Sequence, residues 1–98
     1  MEKDIEAYIK NQVDAMGGLF LKWVCPGNDG VPDRIVLLPN GRIIFVELKD
    51  DHGQVRPLQK YWINRLFEMG QTALVVKGMK QARLFVDLIR KEAEGDLS

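Results

Sequence analysis

Apolar residues recur along this chain with two different spacings, and the switches between them mark its elements. Ile5, Ile9, Val13 and Met16 return every three or four positions, which predicts an amphipathic helix over residues 3–16, stopped by Gly17-Gly18. From Leu19 to Cys25 apolar and polar positions alternate, the period of a strand, and Pro26-Gly27-Asn28-Asp29-Gly30 is a loop by its turn residues. Asp33 to Leu38 and Arg42 to Lys49 read as two further strands. Pro39-Asn40-Gly41 joins them as a hairpin, since Asn-Gly readily takes positive φ. Beyond a polar loop at Asp50 to Gly53, Pro57 suits the first turn of a helix and Gly70 the position just past its end. Leu58, Trp62, Leu66 and Met69 form its apolar stripe, predicted to face the core. Thr72 to Lys77 is a β-branched strand, and Met79 to about Glu94 a last helix with Ala82, Phe85 and Ile89 inward. The order αβββαβα predicts a mixed α/β fold with one central sheet. The second and third strands form the hairpin, and the helix after them allows a parallel crossover. No repeat or linker interrupts the chain, so a single domain over residues 1–98 is expected.

Three charges sit awkwardly in this pattern. Asp33 opens one strand of the hairpin, and Glu47 and Lys49 lie two apart on the other, hence on one face. A hairpin closing at Asn40-Gly41 pairs residue i with about 81 − i, which sets Asp33 near Leu48, one residue from Glu47. Charge beside a packed sheet is costly unless paired or bound to metal. Two carboxylates and an ammonium at the open end of a hairpin fit the chemistry of a hard divalent cation, which takes oxygen ligands and shares a phosphate with its substrate. They also fit a plain ion network at a strand end, and spacing alone leaves both readings open.

Composition narrows the setting. With 98 residues, 46% hydrophobic and 29% charged, the chain suffices for one small cored domain. Its apolar runs are too short to span a bilayer and Met1-Glu2-Lys3-Asp4 opens no signal peptide, so a cytoplasmic protein without membrane contact is expected. The single cysteine, Cys25, permits no internal disulfide and reads as packing; the one histidine, His52, reads as a solvated loop residue. Fourteen basic and fourteen acidic residues argue against a generic basic clamp on nucleic acid.

Gly30-Val31-Pro32-Asp33, followed by Glu47-Leu48-Lys49 and then Leu58-Gln59-Lys60-Tyr61-Trp62, resembles the PD-(D/E)xK nuclease signature in its VRR-NUC form, the virus-type replication-repair nuclease domain. The resemblance covers nearly the whole chain and is nearest to stand-alone phage and bacterial members. It implies a restriction-endonuclease-like core and a Mg²⁺-dependent DNA endonuclease, with Mn²⁺ as a substitute. It makes Asp33 and Glu47 metal ligands, adds the Leu48 backbone carbonyl, and makes Lys49 the catalytic lysine. Gln59 matches a glutamine near the metal water. The family also places a glutamate in the first helix; Glu6 and Glu2 both qualify, and Glu6, further from the fraying end, is preferred.

With Glu6, Asp33 and Glu47 set aside as ligands, eleven acids face fourteen bases, which leaves room for a local positive face. Lys22, Arg34, Arg56 and Lys60 are candidate phosphate contacts, with Lys77, Lys80 and Arg83 behind them; most surface bases merely solubilise. Trp23, Tyr61 and Trp62 could stack on splayed bases, though core packing is the commoner use. The resemblance points to branched DNA, in particular four-way (Holliday) junctions. Paired nicks in such a junction require two sites at fixed spacing, which a two-fold homodimer supplies. The competing readings are a monomeric flap or nicking nuclease and a non-catalytic DNA-binding module of the same fold.

Overall fold

The computed structural model describes residues 1–95; the single domain expected over 1–98 runs past them at residues 96–98. The elements are α1 (Glu2–Ala15), β1 (Leu19–Lys22), β2 (Arg34–Leu37), β3 (Ile43–Lys49), α2 (Pro57–Glu68), β4 (Thr72–Lys77) and α3 (Gly78–Ala93). This is the predicted αβββαβα order. The first strand is shorter than its alternating pattern, although Trp23 N–H still donates to the Asp33 carbonyl at 2.9 Å.

The four strands form one sheet in the order β1-β2-β3-β4. β1, β2 and β3 are antiparallel neighbours, and β3 and β4 run parallel through the α2 crossover. α1 and α3 pack together on one face of this sheet. Ile5, Ile9 and Val13 of α1 meet Phe20, Val36, Ile44, Val46, Leu48 and Val76 from the strands, and Ala82, Phe85, Val86 and Ile89 of α3 complete the core. The opposite face is only partly covered: Leu19, Leu21 and Ile43 stay about half exposed.

Two expectations fail for identifiable reasons. The first is the hairpin register. Arg34 pairs with Val46 and Leu37 with Ile43, one residue away from the predicted register. The turn spans three residues: Leu38 N–H donates to Arg42 O and Gly41 N–H to Leu38 O, both at 3.0 Å. Pro39 suits the first corner of such a turn, and Gly41 alone takes positive φ (89°), while Asn40 accepts from Arg42 N–H through its side chain at 3.1 Å. Extending the observed register sets Asp33 opposite Glu47. The shift decides the site, because cross-strand partners share a face. Opposite Leu48, Asp33 would have projected to the α1 side.

The second is the stripe on α2. Leu58 and Met69 are exposed, Trp62 and Leu66 are half-buried, and none joins the core cluster; the buried residue of α2 is Gln59. The helix is anchored by polar bonds as well as packing. Trp62 Nε1–H donates to the Asp29 carbonyl at 3.0 Å, and the Gln59 amide is held at both ends.

Candidate active site at the open end of the hairpin

Asp33 and Glu47 meet across the hairpin, and each carboxylate has one oxygen tied down by a neutral N–H donor. Leu48 N–H donates to Asp33 Oδ1 at 3.2 Å. Gln59 Nε2 donates to Glu47 Oε2 at 3.1 Å, and Lys49 Nζ lies 3.8 Å from the same oxygen. The remaining oxygens are under-used. Glu47 Oε1 is buried with no partner. Asp33 Oδ2 has a guanidinium contact at 3.4 Å from Arg34. An unpartnered carboxylate oxygen in a residue only 4% exposed is a cost that a bound cation would remove.

The electrostatics agree. Glu47 is pushed up to about 7, first by burial and then by the Asp33 charge; Lys49 and Arg56 oppose the shift, and Glu2 adds to it. Asp33 is raised by burial, with the Leu48 N–H and the Arg34 and Lys49 charges pulling back. Among the described residues no group of three Asp, Glu, His or Cys side chains converges closely enough to hold an ion alone. A site of two carboxylates suits Mg²⁺, which keeps several waters and takes further oxygens from a phosphate. Leu48, between Glu47 and Lys49 on the same strand, remains the residue whose carbonyl could join them.

The first-helix glutamates divide. Glu6 is spent on Arg34, bonded to its Nη2, whereas Glu2, one turn earlier, is the helix acid whose charge bears on Glu47. Glu6, the preferred acid, is thus engaged by Arg34, while the Glu2 charge adds to the upward shift of Glu47. Arg34 also departs from its expected place. It is 8% exposed, with Nη1 donating to the Asp33 carbonyl at 3.0 Å, so it is no surface phosphate contact. An arginine next to a strand's first carboxylate looks like a surface base in sequence, and its partner Glu6 lies 28 residues away. Lys22, Arg56 and Lys60 are exposed; Lys22 is the register partner of Arg34, and Arg56 faces Asp29 at 3.4 Å. Trp23 packs on Phe45 with ring centroids 5.2 Å apart, and Trp62 donates its indole N–H to the Asp29 carbonyl. Tyr61 is half exposed. Cys25 is partly buried, its sulfur 3.6 Å from Asn28 Nδ2, and His52 is exposed on its loop.

Gly30 explains why the loop before Asp33 needs a glycine. Its φ is 93°, and a Cβ there would lie 2.8 Å from Leu58 Cγ and 2.9 Å from the Leu58 carbonyl carbon, in the first turn of α2. Gly30→Ala should cost roughly 2 kcal/mol or more, combining left-handed strain with a backbone clash. Because Gln59 is the next residue of α2, the variant should also lose cleavage rate. Urea unfolding and a cleavage assay check the two effects; unchanged unfolding would refute the close approach.

Comparison with known proteins gives a consistent result. The family model described as "VRR-NUC domain" matches residues 23–80, a span that holds Asp33, Glu47, Lys49 and Gln59 and leaves out both α1 glutamates. "Putative nuclease p44" of Acyrthosiphon pisum secondary endosymbiont phage 1 is 44% identical over 75 residues, covering 76% of this chain and 81% of that protein. A solved structure described as "VRR_NUC domain" is 34% identical with a TM-score of 0.81, over 88% of this chain and 94% of its own. Another, described as "VRR_NUC domain protein", shares the fold at 19% identity and a TM-score of 0.67, over 93% of this chain and 86% of its own.

Proposed function

The chain belongs to the VRR-NUC family of nuclease domains, and from that premise we propose that it is a Mg²⁺-dependent endonuclease cutting branched DNA, four-way junctions in particular, by paired nicks. Mn²⁺ substitutes for Mg²⁺. The observation that carries the metal reading is the buried, unpartnered Glu47 Oε1 across the hairpin from Asp33. When bound, the cation supplies an acidified water and stabilises charge building on the scissile phosphate. Asp33 and Glu47 would hold it, each having one oxygen not engaged by the Leu48 or Gln59 donor. Lys49, mostly buried, carries the positive charge available to the phosphate or the attacking water. Gln59 keeps Glu47 from turning its free oxygen away. The exposed bases Lys22, Arg56 and Lys60 take the flanking phosphates in this reading.

Homodimer formation has support along the β4 edge of the sheet, next to the strand that carries Glu47. β4 is an edge strand, and Leu84 and Leu88 of α3 stay about half exposed beside Leu74 and Val75 along an apolar groove. A second copy related by a two-fold axis would cover this surface and present two sites. The test is cleavage of a panel of four-way junctions, flaps and linear duplexes with Mg²⁺ and Mn²⁺, run beside light scattering. Expected are a species of twice the chain mass and symmetric paired cuts in the junction. A monomer that prefers single flaps would reject the junction reading, and binding without metal-dependent cleavage would reject the enzyme.

A further inference from the structure

Arg34 occupies the oxygen that the proposed ligand set leaves open on Asp33. Its Nη1 lies 3.4 Å from Asp33 Oδ2 and donates to the Asp33 carbonyl at 3.0 Å, while Nη2 is bonded to Glu6. The side chain is 10% exposed, so the guanidinium is largely withheld from water, and it cannot swing out without breaking its contacts to both carboxylates. We infer that Arg34 is a resident counter-cation that competes with the divalent ion: it keeps the metal-free site neutral enough to fold and thereby weakens metal binding. This rests on the metal reading above. It makes Arg34 a positioning residue acting through Asp33 and Glu6, with no contact to the reacting phosphate.

The physical balance gives the sign. A guanidinium so close to a ligand oxygen repels a dication, and the ion must also displace its contact with Oδ2. Without Arg34, Asp33 and Glu6 are two neighbouring carboxylates lacking a cation, a stronger site for Mg²⁺ in a less stable metal-free protein. Glu6 works in the opposite direction. It draws the guanidinium toward α1, so losing the Glu6 charge turns Arg34 wholly onto Asp33.

The experiment is a thermal-melt titration of the full chain with MgCl₂, and separately MnCl₂, at constant ionic strength and without DNA. Wild type, Arg34→Met, Arg34→Lys and Glu6→Gln are compared. Arg34→Met should melt earlier without metal, yet reach half-saturation at roughly tenfold lower metal, the scale expected for removing one screened charge near the ion. Arg34→Lys keeps the charge and should stay within about threefold of wild type. Glu6→Gln should need more metal than wild type. A merely structural bridge predicts lower stability in both Arg34→Met and Glu6→Gln, with half-saturation unmoved, and that result overturns the inference. If Arg34→Met folds only with metal, the ion is replacing the lost cation, as inferred. If it does not fold at all, Arg34→Gln, which keeps a donor for the Asp33 carbonyl, carries the same comparison. A wild type whose melting ignores both metals would overturn the metal reading and this inference together. A responsive wild type with an unimproved neutral variant overturns the inference alone.

Discussion

Glu47→Gln removes cleavage, by more than about a thousandfold, and leaves a protein that is more stable than wild type above pH 7. The two effects have one origin. Glu47 is 4% exposed, beside Asp33, with one oxygen unpartnered, which is a favourable arrangement only when a cation is present. Its pKa is about 7 in the folded chain against an ordinary 4.5. The folded state therefore holds this proton more tightly than the unfolded state does. Stability attributable to Glu47 is highest below pH 4.5, falls as pH rises through the interval to 7, and stays low above it. The full cost is on the order of 3 kcal/mol, with the opposing Lys49 charge already included in the shift. A neutral glutamine keeps a carbonyl for Gln59 and abolishes the penalty. The melting temperature of Glu47→Gln relative to wild type should thus climb between pH 5 and pH 8 in metal-free buffer. Asp33→Asn should also lose cleavage, its amide oxygen still accepting from Leu48 N–H, with DNA binding retained in both variants. Normal cleavage by either variant would sink the ligand assignment.

Lys49→Ala makes a different signature. Lys49 Nζ is 3.8 Å from Glu47 Oε2, and its charge also pulls the Asp33 carboxyl down. If its charge acts on the phosphate or the attacking water in the transition state, single-turnover cleavage should fall about a hundredfold or more while DNA affinity changes little. Metal-free stability at pH 8 should fall modestly as well, because the charged Glu47 loses a neighbour that lowers its pKa. A pure counter-ion role predicts the lower melting temperature with an undiminished rate in the folded fraction. Lys49→Arg, bulkier and forked, tests whether charge alone suffices.

The residues that carry these predictions were readable before any coordinates, and the reasons are local. Alternation along Ile43–Lys49 separates Ile44, Val46 and Leu48 from Glu47 and Lys49, so the shared face of the last two follows from the period of a strand. What sequence could not supply was the partner across the hairpin. Asn40-Gly41 suggests a two-residue turn, and only the bond from Leu38 N–H to Arg42 O reveals the three-residue one that aligns Asp33 with Glu47. Arg34 illustrates a second limit. Periodicity places it on the face of Val36 and Leu38, but a polar residue on a covered face is legible only when its distant partner, here Glu6, is known. The stripe on α2 shows the converse: Leu58 and Met69 repeat at helical spacing without a core to meet, while Gln59, polar in type, is what the helix buries.

Gln59 has one more consequence. Its Oε1 accepts from Arg56 N–H at 2.9 Å, closing the first turn of α2, while its Nε2 holds Glu47. One amide thus serves as the fastener of the helix start and as the clamp on the carboxylate. Fraying of that turn and release of Glu47 are therefore the same local opening event, and the exchange rate of the Arg56 amide proton reads the fraction of molecules whose site is momentarily undone.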